Sequence, residues 1–224
     1  MMFRNLGEVL MFTGIVEEVG SITRIEQRGE NRRITIAAVD VSQELKAGDS
    51  VSVSGVCLTA IDIEPGSFCA DLAPETWQRT SFSRMHEGAL VNLELPIKAD
   101  GRFGGHIVQG HVDGVGKVIA LERIGDSENF WLRIELPHEV VKYAVYKGSV
   151  CIEGISLTVA KLEGRECSVA IIPHTVEMTN LKSFKPGDPV NLEADLIAKY
   201  VEKMMTSESE ESTLTVQDLV RQGF

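Results

Sequence analysis

A chain of 224 residues with a formal net charge of −11 has the length of one or two domains. The negative charge argues against non-specific binding to nucleic acid or to an anionic membrane, and no apolar run approaches the ~20 residues that a membrane-spanning helix needs. The four cysteines form no CxxC pair and no histidine cluster has zinc spacing, so no metal site is expected. Scattered cysteines without a secretory signal are typical of a cytoplasmic protein.

The predicted elements of the first half begin at Met11. Residues 1–10 are an N-terminal extension with two open interpretations, a native segment or a start codon placed too far upstream. Residues 34–36 and 91–95 alternate between apolar and polar types, as strands do. Strand signals about every eight to twelve residues predict a closed antiparallel barrel or a sandwich. Short helical turns are expected at residues 41–45 and 80–85.

The second half of the chain repeats the first after a linker at residues 97–105. Residues 91–94, which read VNLE, return unchanged as residues 190–193. The block GVCLT at residues 55–59 returns as GISLT at residues 154–158, at the same offset of ninety-nine residues. A constant offset carried by separate blocks indicates one domain made twice, because this period is too long for a solenoid repeat and suits a small domain.

The repeat sets the expected domain organisation. A first barrel at residues 11–97 precedes a homologous barrel at residues 106–195, each with about six short strands. Residues 196–206 are predicted to form an amphipathic helix that mediates self-association, because its wide apolar stripe needs burial. The stripe consists of Leu196, Ile197, Tyr200, Val201, Met204 and Met205. Residues 207–224 are expected to be an acidic tail with one short helix.

Polar side chains at alternate positions mark the repeated block as a candidate site. Cys57 and Thr59 share one face of a strand in the first copy, and Ser156 and Thr158 share the matching face in the second. In a barrel that face can be the inside, where threonine is commonly a hydrogen-bonded filler. Alternatively, the divergence between Cys57 and Ser156 indicates that a duplicated domain has made its two sites unequal.

Four further residues are candidates from their surroundings. His111 follows Gly110 and either packs at a turn or enters a pocket, whereas His106 is interpreted as packed at a turn. Asp195 precedes the predicted helix, so it is an N-cap that can also face a ligand. His174 follows a predicted strand and is a candidate for the edge of a pocket.

Three motifs in order carry a resemblance to a known family. They are MFTGIV at residues 11–16, GGHIVQGHVDGVG at residues 104–116 and EGISLTV at residues 153–159. With the duplication, the chain from residue 11 to about residue 203 resembles the alpha-chain type of the riboflavin synthase family. The resemblance implies an all-β fold of two tandem, homologous six-stranded Greek-key barrels. A C-terminal helix follows the barrels and gathers three chains into a homotrimer.

The same resemblance implies a transferase that completes riboflavin biosynthesis. Each barrel would bind one 6,7-dimethyl-8-ribityllumazine, and two of these would meet between the first barrel of one subunit and the second barrel of the next. A four-carbon unit would pass from one to the other, giving riboflavin and 5-amino-6-ribitylamino-uracil without a metal or organic cofactor. Lumazine synthase is a further candidate partner, whose association the sequence leaves open.

The resemblance also assigns residues to the site. A catalytic role falls to Phe12, Cys57, His111, Ser156, Thr158 and Asp195. A first substrate pocket would be lined by Gly14, Ile15, Val16, Cys57, Leu58, Thr59, Asp71, Leu72, Ala73, Pro74, Glu75 and Thr76. A second would be lined by Gly110, His111, Val112, Lys147, Ser156, Leu157, Thr158, Ile171, Ile172, Pro173, His174, Thr175 and Val176. His174 stands where the family commonly has Glu, which puts a role for that Glu in doubt.

Three alternatives to the enzyme make different predictions. A lumazine protein has the same two barrels and binds a chromophore without reacting. The presence in one chain of the polar cluster His111, Ser156, Thr158, Asp195 and Cys57 favours the enzyme over it. A flavin-reductase-like barrel predicts an attached nicotinamide-binding Rossmann half, which the sequence lacks. A purely structural double barrel accounts for the repeat but not for the matched polar positions.

Overall fold

The computed structural model describes residues 11–207 and residue 221. The predicted N-terminal extension at residues 1–10 therefore lies outside the described residues, as does nearly all of the predicted acidic tail and its short helix. Within the described part of the chain, no helix is long and apolar enough to cross a membrane.

The first half of the chain folds into a closed, six-stranded antiparallel barrel with the strand order β1-β2-β5-β4-β3-β6. Its strand β6 lies beside β3, at the start of the β3-β4-β5 meander, which is a Greek-key arrangement. A 3₁₀ turn spans Ser81–Arg84. The other elements are β1 (Glu18–Arg28), β2 (Asn31–Ala37), α1 (Val41–Glu44), β3 (Ser50–Val53), β4 (Val56–Glu64), β5 (Ser67–Leu72), α2 (Pro74–Arg79) and β6 (Leu90–Glu94).

The second half repeats this barrel with the order β7-β8-β11-β10-β9-β12. The 3₁₀ turn at Asn180–Ser183 matches the one in the first half. The other elements are β7 (Gly114–Arg123), β8 (Phe130–Glu135), α3 (His138–Val141), β9 (Ser149–Ile152), β10 (Ile155–Glu163), β11 (Glu166–Ile171), α4 (Pro173–Glu177), β12 (Pro189–Ala194) and α5 (Leu196–Ser207). Two tandem six-stranded barrels and a C-terminal helix confirm the expected fold class.

The repeated block presents its polar positions to the outside of each barrel. Strand β4 points Val56, Leu58 and Ala60 into the first core, while Cys57 is half-buried and Thr59 is exposed. In β10, Thr158 is exposed in the same way. The interior placement considered for this face is therefore wrong, because alternation along a strand gives the core to the apolar residues of the block and leaves the polar face outside.

A polar and glycine-rich contact joins the two barrels around a pseudo-twofold axis. The side-chain oxygen of Asn92 accepts from the backbone N–H of Asn180 at 2.7 Å, and that of Asn191 accepts from the N–H of Ser81 at 2.7 Å. Each asparagine of a VNLE block thus binds the 3₁₀ turn of the opposite barrel. Buried backbone donors are thereby satisfied, which fixes how the barrels sit together.

Polar side chains of helix α5 contact the second barrel. Lys199 forms an ion pair with Asp113 at 2.6 Å, and Glu202 accepts a hydrogen bond from the hydroxyl of Tyr143 at 2.6 Å. Leu196 is half-buried, and the other five residues of the predicted stripe stay exposed in the single chain, with 49–71% of each surface accessible at Ile197, Tyr200, Val201, Met204 and Met205.

Candidate active site

Two glycine turns cross from one barrel to the other and form the core of the candidate site. The carbonyl of Gly14 accepts a hydrogen bond from the backbone N–H of Ser156 at 2.8 Å, and the carbonyl of Gly110 accepts one from Cys57 at 2.9 Å. The two turns are paired through Phe12 and Val108, which exchange backbone hydrogen bonds of 2.8 and 3.1 Å. Ser156 of the second copy therefore lies under the Gly14 turn of the first copy, and Cys57 of the first copy lies under the Gly110 turn of the second.

Only glycine fits at these crossings. Gly14 has a φ of +76°, and a Cβ there would lie 2.7 Å from the Cβ and N of Ser156. Gly110 has a φ of +77°, and its Cβ would lie 2.6 Å from the same atoms of Cys57. Both the left-handed backbone and the close approach exclude a side chain.

The crossings correct the expected composition of the pockets. Gly14 was grouped with Cys57 in a first pocket, and Gly110 with Ser156 in a second, on the assumption that each pocket belongs to one copy. The structure instead places the Gly14 turn against Ser156 and the Gly110 turn, with His111, against Cys57. The repeat could not show this exchange, since a sequence offset says which residues correspond and not which barrel they contact.

A histidine that the sequence did not single out lies beside Ser156. The Nδ1 atom of His106 is 2.7 Å from the Ser156 hydroxyl oxygen, and its backbone N–H donates to the carbonyl of Thr13. Only 8% of the His106 surface is exposed, and its Nε2 atom has no partner among the described residues. Burial lowers the pKa of His106, while the nearby charge of Asp195 raises it. The neutral imidazole can therefore accept the hydroxyl proton of Ser156.

Asp195 is the N-cap that the sequence predicts, and its facing a ligand stays a prediction. Its carboxylate oxygen accepts from the N–H of Ile197 at 2.9 Å and so caps α5. Its charge also acts on His106, so the cap lies at the edge of the same site. Ser156 and His106 are thus in direct contact at the second barrel, whereas His111 lies on the side of Cys57.

Cys57 differs chemically from its counterpart Ser156. Burial raises the pKa of its thiol, against a weaker opposing effect from a hydrogen bond with Ser50, and the carboxylate of Glu193 raises the pKa further. The thiol therefore stays protonated at neutral pH and can donate a hydrogen bond, which is not the behaviour of a nucleophilic thiolate.

The remaining predicted site residues differ in how far they are exposed to solvent. Phe12 is fully buried between the barrels against Val108 and Cys151, so its side chain presents no surface in the single chain. Leu72 and Ile171 point into the barrel cores. Residues exposed at the outer surface are Ile15, Thr59, Asp71, Ala73, Pro74, Glu75, His111, Lys147, Thr158, Ile172 and His174.

Two elements and one cavity complete the setting. The predicted pocket segments 74–76 and 173–176 form the starts of α2 and α4, where proline occupies the first helical turn. A cavity of about 340 Å³ opens beside the Gly14 turn and is lined by Ile15, Glu94 and the linker. In the described part of the chain, no group of three or more His, Cys, Asp or Glu residues could hold a metal ion.

Comparisons with known proteins assign the chain to a family. The sequence model described as "Lumazine binding domain" matches residues 13–96 and again residues 109–195. The riboflavin synthase of Actinobacillus pleuropneumoniae is 42% identical over 217 residues, covering 96% of this chain and all of the relative. The riboflavin synthase of Mycobacterium tuberculosis (strain H37Rv) is 45% identical over 201 residues, covering 88% of this chain and 99% of the relative.

The chain belongs to the riboflavin synthase family.

Solved structures agree at the level of the fold. The crystal structure of LumP complexed with 6,7-dimethyl-8-(1'-D-ribityl) lumazine has a TM-score of 0.74, and that of LumP complexed with riboflavin has 0.75. Both are 23% identical in sequence and cover 82% of this chain and 99% of the LumP chain.

Proposed function

We propose that this chain is a riboflavin synthase. It transfers a four-carbon unit between two molecules of 6,7-dimethyl-8-ribityllumazine, which together contain all the atoms of riboflavin and 5-amino-6-ribitylamino-uracil. The observation that carries the proposal is that one chain holds two matching sites, in each of which a glycine turn of one copy lies on a strand of the other. The polar residues of the two sites are unequal, Ser156 in one and Cys57 in the other. A reaction between two copies of one substrate needs two similar pockets, and their inequality lets one molecule donate and the other accept.

The Ser156 site supplies the proton transfers. The methyl group at C7 of the lumazine is acidic, and its deprotonation gives the carbanion that attacks the second ring. Ser156 and His106 form a hydrogen-bonded pair that can take up this proton, because burial lowers the pKa of the imidazole and so keeps it neutral and able to accept. The negative charge of Asp195 favours the imidazolium that results.

The Cys57 site supplies donors to the other ring. Its protonated thiol and the exposed His111 lie by the Gly110 turn, where they can hydrogen-bond a heterocycle without forming a covalent bond. Thr59 and Thr158 flank the two sites on the outer strand faces. Phe12 supports both sites from beneath by packing where the two turns meet.

The two substrates meet between chains. Within one chain the buried core of Phe12, Val108 and Cys151 lies between the barrels, and both sites open outward from it. Holding two reactants face to face can supply effective molarities of about 10⁵–10⁸ M. The exposed apolar stripe of α5 is the surface that gathers the chains, and a homotrimer pairs the first barrel of each subunit with the second barrel of the next.

A lumazine-protein-like binder is the second candidate, favoured by the fold likeness to LumP. The two candidates are separated by incubating the protein with 6,7-dimethyl-8-ribityllumazine alone and following riboflavin absorbance. The enzyme consumes two lumazines for each riboflavin and releases one 5-amino-6-ribitylamino-uracil. A stable fluorescent complex without product would support the binder.

Two further parts of the proposal concern the setting of the enzyme. All four cysteines are free thiols, which supports a reducing, cytoplasmic location. Association with lumazine synthase stays a prediction of the family resemblance, and co-sedimentation of the two proteins tests it.

A further inference from the structure

Each crossing turn is held by one buried glutamate. Glu94, at the end of β6, accepts hydrogen bonds from the backbone N–H of Thr13 at 2.6 Å, the Thr13 hydroxyl at 2.9 Å and the N–H of Gly14 at 3.0 Å. Glu193, near the end of β12, accepts from the N–H groups of Gln109, Gly110 and His111 at 2.8, 2.9 and 3.0 Å. Both side chains are at least 96% buried.

The contacts of each glutamate with its turn require acceptors. The turn groups that hydrogen-bond each glutamate are all donors, and most of them are backbone N–H groups, which only a substitution to proline removes. An ionised carboxylate suits three donors best, because it has no proton of its own to place among them and its charge strengthens each hydrogen bond. Burial raises the pKa of Glu94 to about 6 and that of Glu193 to about 7, while the donated hydrogen bonds lower both pKa values. Both carboxyls are therefore largely ionised at pH 8.

We propose that Glu94 and Glu193 are positioning residues that each control the pocket of the opposite barrel. Glu94 belongs to the first barrel and holds the Gly14 turn on Ser156 of the second. Glu193 belongs to the second barrel and holds the Gly110 turn on Cys57 of the first. The inference rests on the proposed function, because it assumes that these two pockets take the substrates. Its consequence is that each barrel is needed to complete the binding site of the other.

The second anchor is also joined to the C-terminal helix. The charge of Lys199 on α5 lowers the pKa of Glu193, and the Lys199 ammonium pairs with Asp113, which follows the Gly110 turn. Asp113 in turn accepts from the backbone N–H of Ala194, next to Glu193. The helix that is proposed to gather the chains is therefore in contact with the element that positions the Cys57 pocket.

The proposal is tested by measuring how well riboflavin protects a cysteine in each pocket from alkylation. The half-buried Cys57 thiol reports its own pocket when alkylation by iodoacetamide at pH 8 is followed by mass spectrometry of its peptide. The double variant C57S/S156C moves the reporter thiol to the other pocket. Glu193→Gln should raise the riboflavin concentration that half-protects Cys57 by about tenfold or more, since charged hydrogen bonds of this kind are lost. It should leave protection at position 156 nearly unchanged.

Glu94→Gln should give the mirror image, with protection lost at position 156 and kept at Cys57. The milder Thr13→Val, which removes only one donor to Glu94, should shift protection in the same direction by a smaller factor. Glu17→Gln is the matched control, because Glu17 accepts from Leu95 and not from a turn. It should change neither pocket. The proposal would be overturned if riboflavin protection were lost in the barrel that carries the substituted glutamate, or were lost equally in both pockets.

Amide hydrogen exchange measures how firmly each turn is held, and it needs no ligand. Glu94→Gln should speed exchange in the peptide around residues 12–16 and spare residues 109–112, and Glu193→Gln should do the reverse. Unchanged exchange in both peptides would also overturn the anchoring. If the unsubstituted protein neither binds riboflavin nor turns over lumazine while the exchange pattern is as expected, the proposed function fails and the anchoring stands.

Discussion

At the scale of single residues, the structure redistributes the polar groups that the sequence singled out. His111 was a candidate from its place in a glycine-rich motif, but its side chain is exposed and lies with the Cys57 site. His106, five residues earlier, is the histidine that contacts Ser156. No sequence pattern marks His106, because its place beside Ser156 depends on the close approach of Gly105, where a Cβ would lie 2.0 Å from the carbonyl oxygen of Thr13 and 2.8 Å from the Ser156 Cβ. Such close packing brings the next residue into the site.

Ser156→Ala should lower kcat by about 10²-fold or more, because it removes the hydroxyl through which His106 exchanges a proton with the substrate. Thr59→Ala is the control, since Thr59 is an exposed hydroxyl on the matching outer strand of the first barrel. It should reduce kcat much less. Steady-state formation of riboflavin measures both variants, and equal losses would contradict the role given to Ser156.

The buried Glu153 should make stability depend on pH. It is 1% exposed and accepts from the N–H of Asn191 at 2.6 Å and the side chain of Asn180 at 3.0 Å, between the barrels. Burial raises its pKa from 4.5 to about 7, so the folded protein binds the proton more tightly than the unfolded chain does. The resulting stabilisation is complete below pH 4.5 and is lost as the pH rises to about 7, on the order of 1 kcal/mol per pH unit.

Glu153→Gln removes this titration. The free energy of unfolding of the unsubstituted protein minus that of the variant should therefore fall between pH 4.5 and 7 and stay level above that range. Urea denaturation at a series of pH values measures the difference. Parallel curves for the two proteins would show that Glu153 does not titrate in this window.

At the scale of elements, the sequence predicted the barrels well because two independent patterns agree there. Alternation marked strands such as β2 and β6, and the repeated blocks fixed which strands correspond. Helix α1 was predicted at residues 41–45 and is present, whereas α2 and α4 were missed although proline marks each start. The crossing of the turns could not be predicted, because it depends on contacts between copies that a repeat leaves undefined.

Gly14→Ala tests the crossing directly. An alanine there needs a left-handed backbone and brings its Cβ within 2.7 Å of Ser156, so the turn must move away from the site. We expect kcat to fall by about 10²-fold, the effect of a displacement near 1 Å at an active site. Gly29→Ala is the matched control, because Gly29 has a φ of +61° with no atom within 4 Å of the added Cβ. It should lower the melting temperature while leaving turnover intact.

At the scale of the whole molecule, α5 carries the prediction of assembly. Val201 and Met204 are 49% and 70% exposed in the single chain, on the stripe expected to pack against other copies. Burying such side chains stabilises an interface by about 1.5–3 kcal/mol each. The double substitution Val201→Glu and Met204→Glu should therefore produce a smaller sedimenting species that binds riboflavin and turns over slowly. Val39→Glu, at an exposed apolar residue of the first barrel, should change neither property. A monomer with full turnover would contradict a site formed between chains.

In the proposed enzyme, the Cys57 site of one chain and the Ser156 site of another act together in one reaction. Gly14→Ala disables the Ser156 site and Gly110→Ala the Cys57 site, so each variant alone should be nearly inactive. The deciding measurement is riboflavin formation after the two variants are mixed in equal amounts and allowed to exchange subunits. Random trimers should recover about a quarter of the unsubstituted activity, because that share of the interfaces combines two intact sites. Activity that stays at the level of the separate variants would contradict the account.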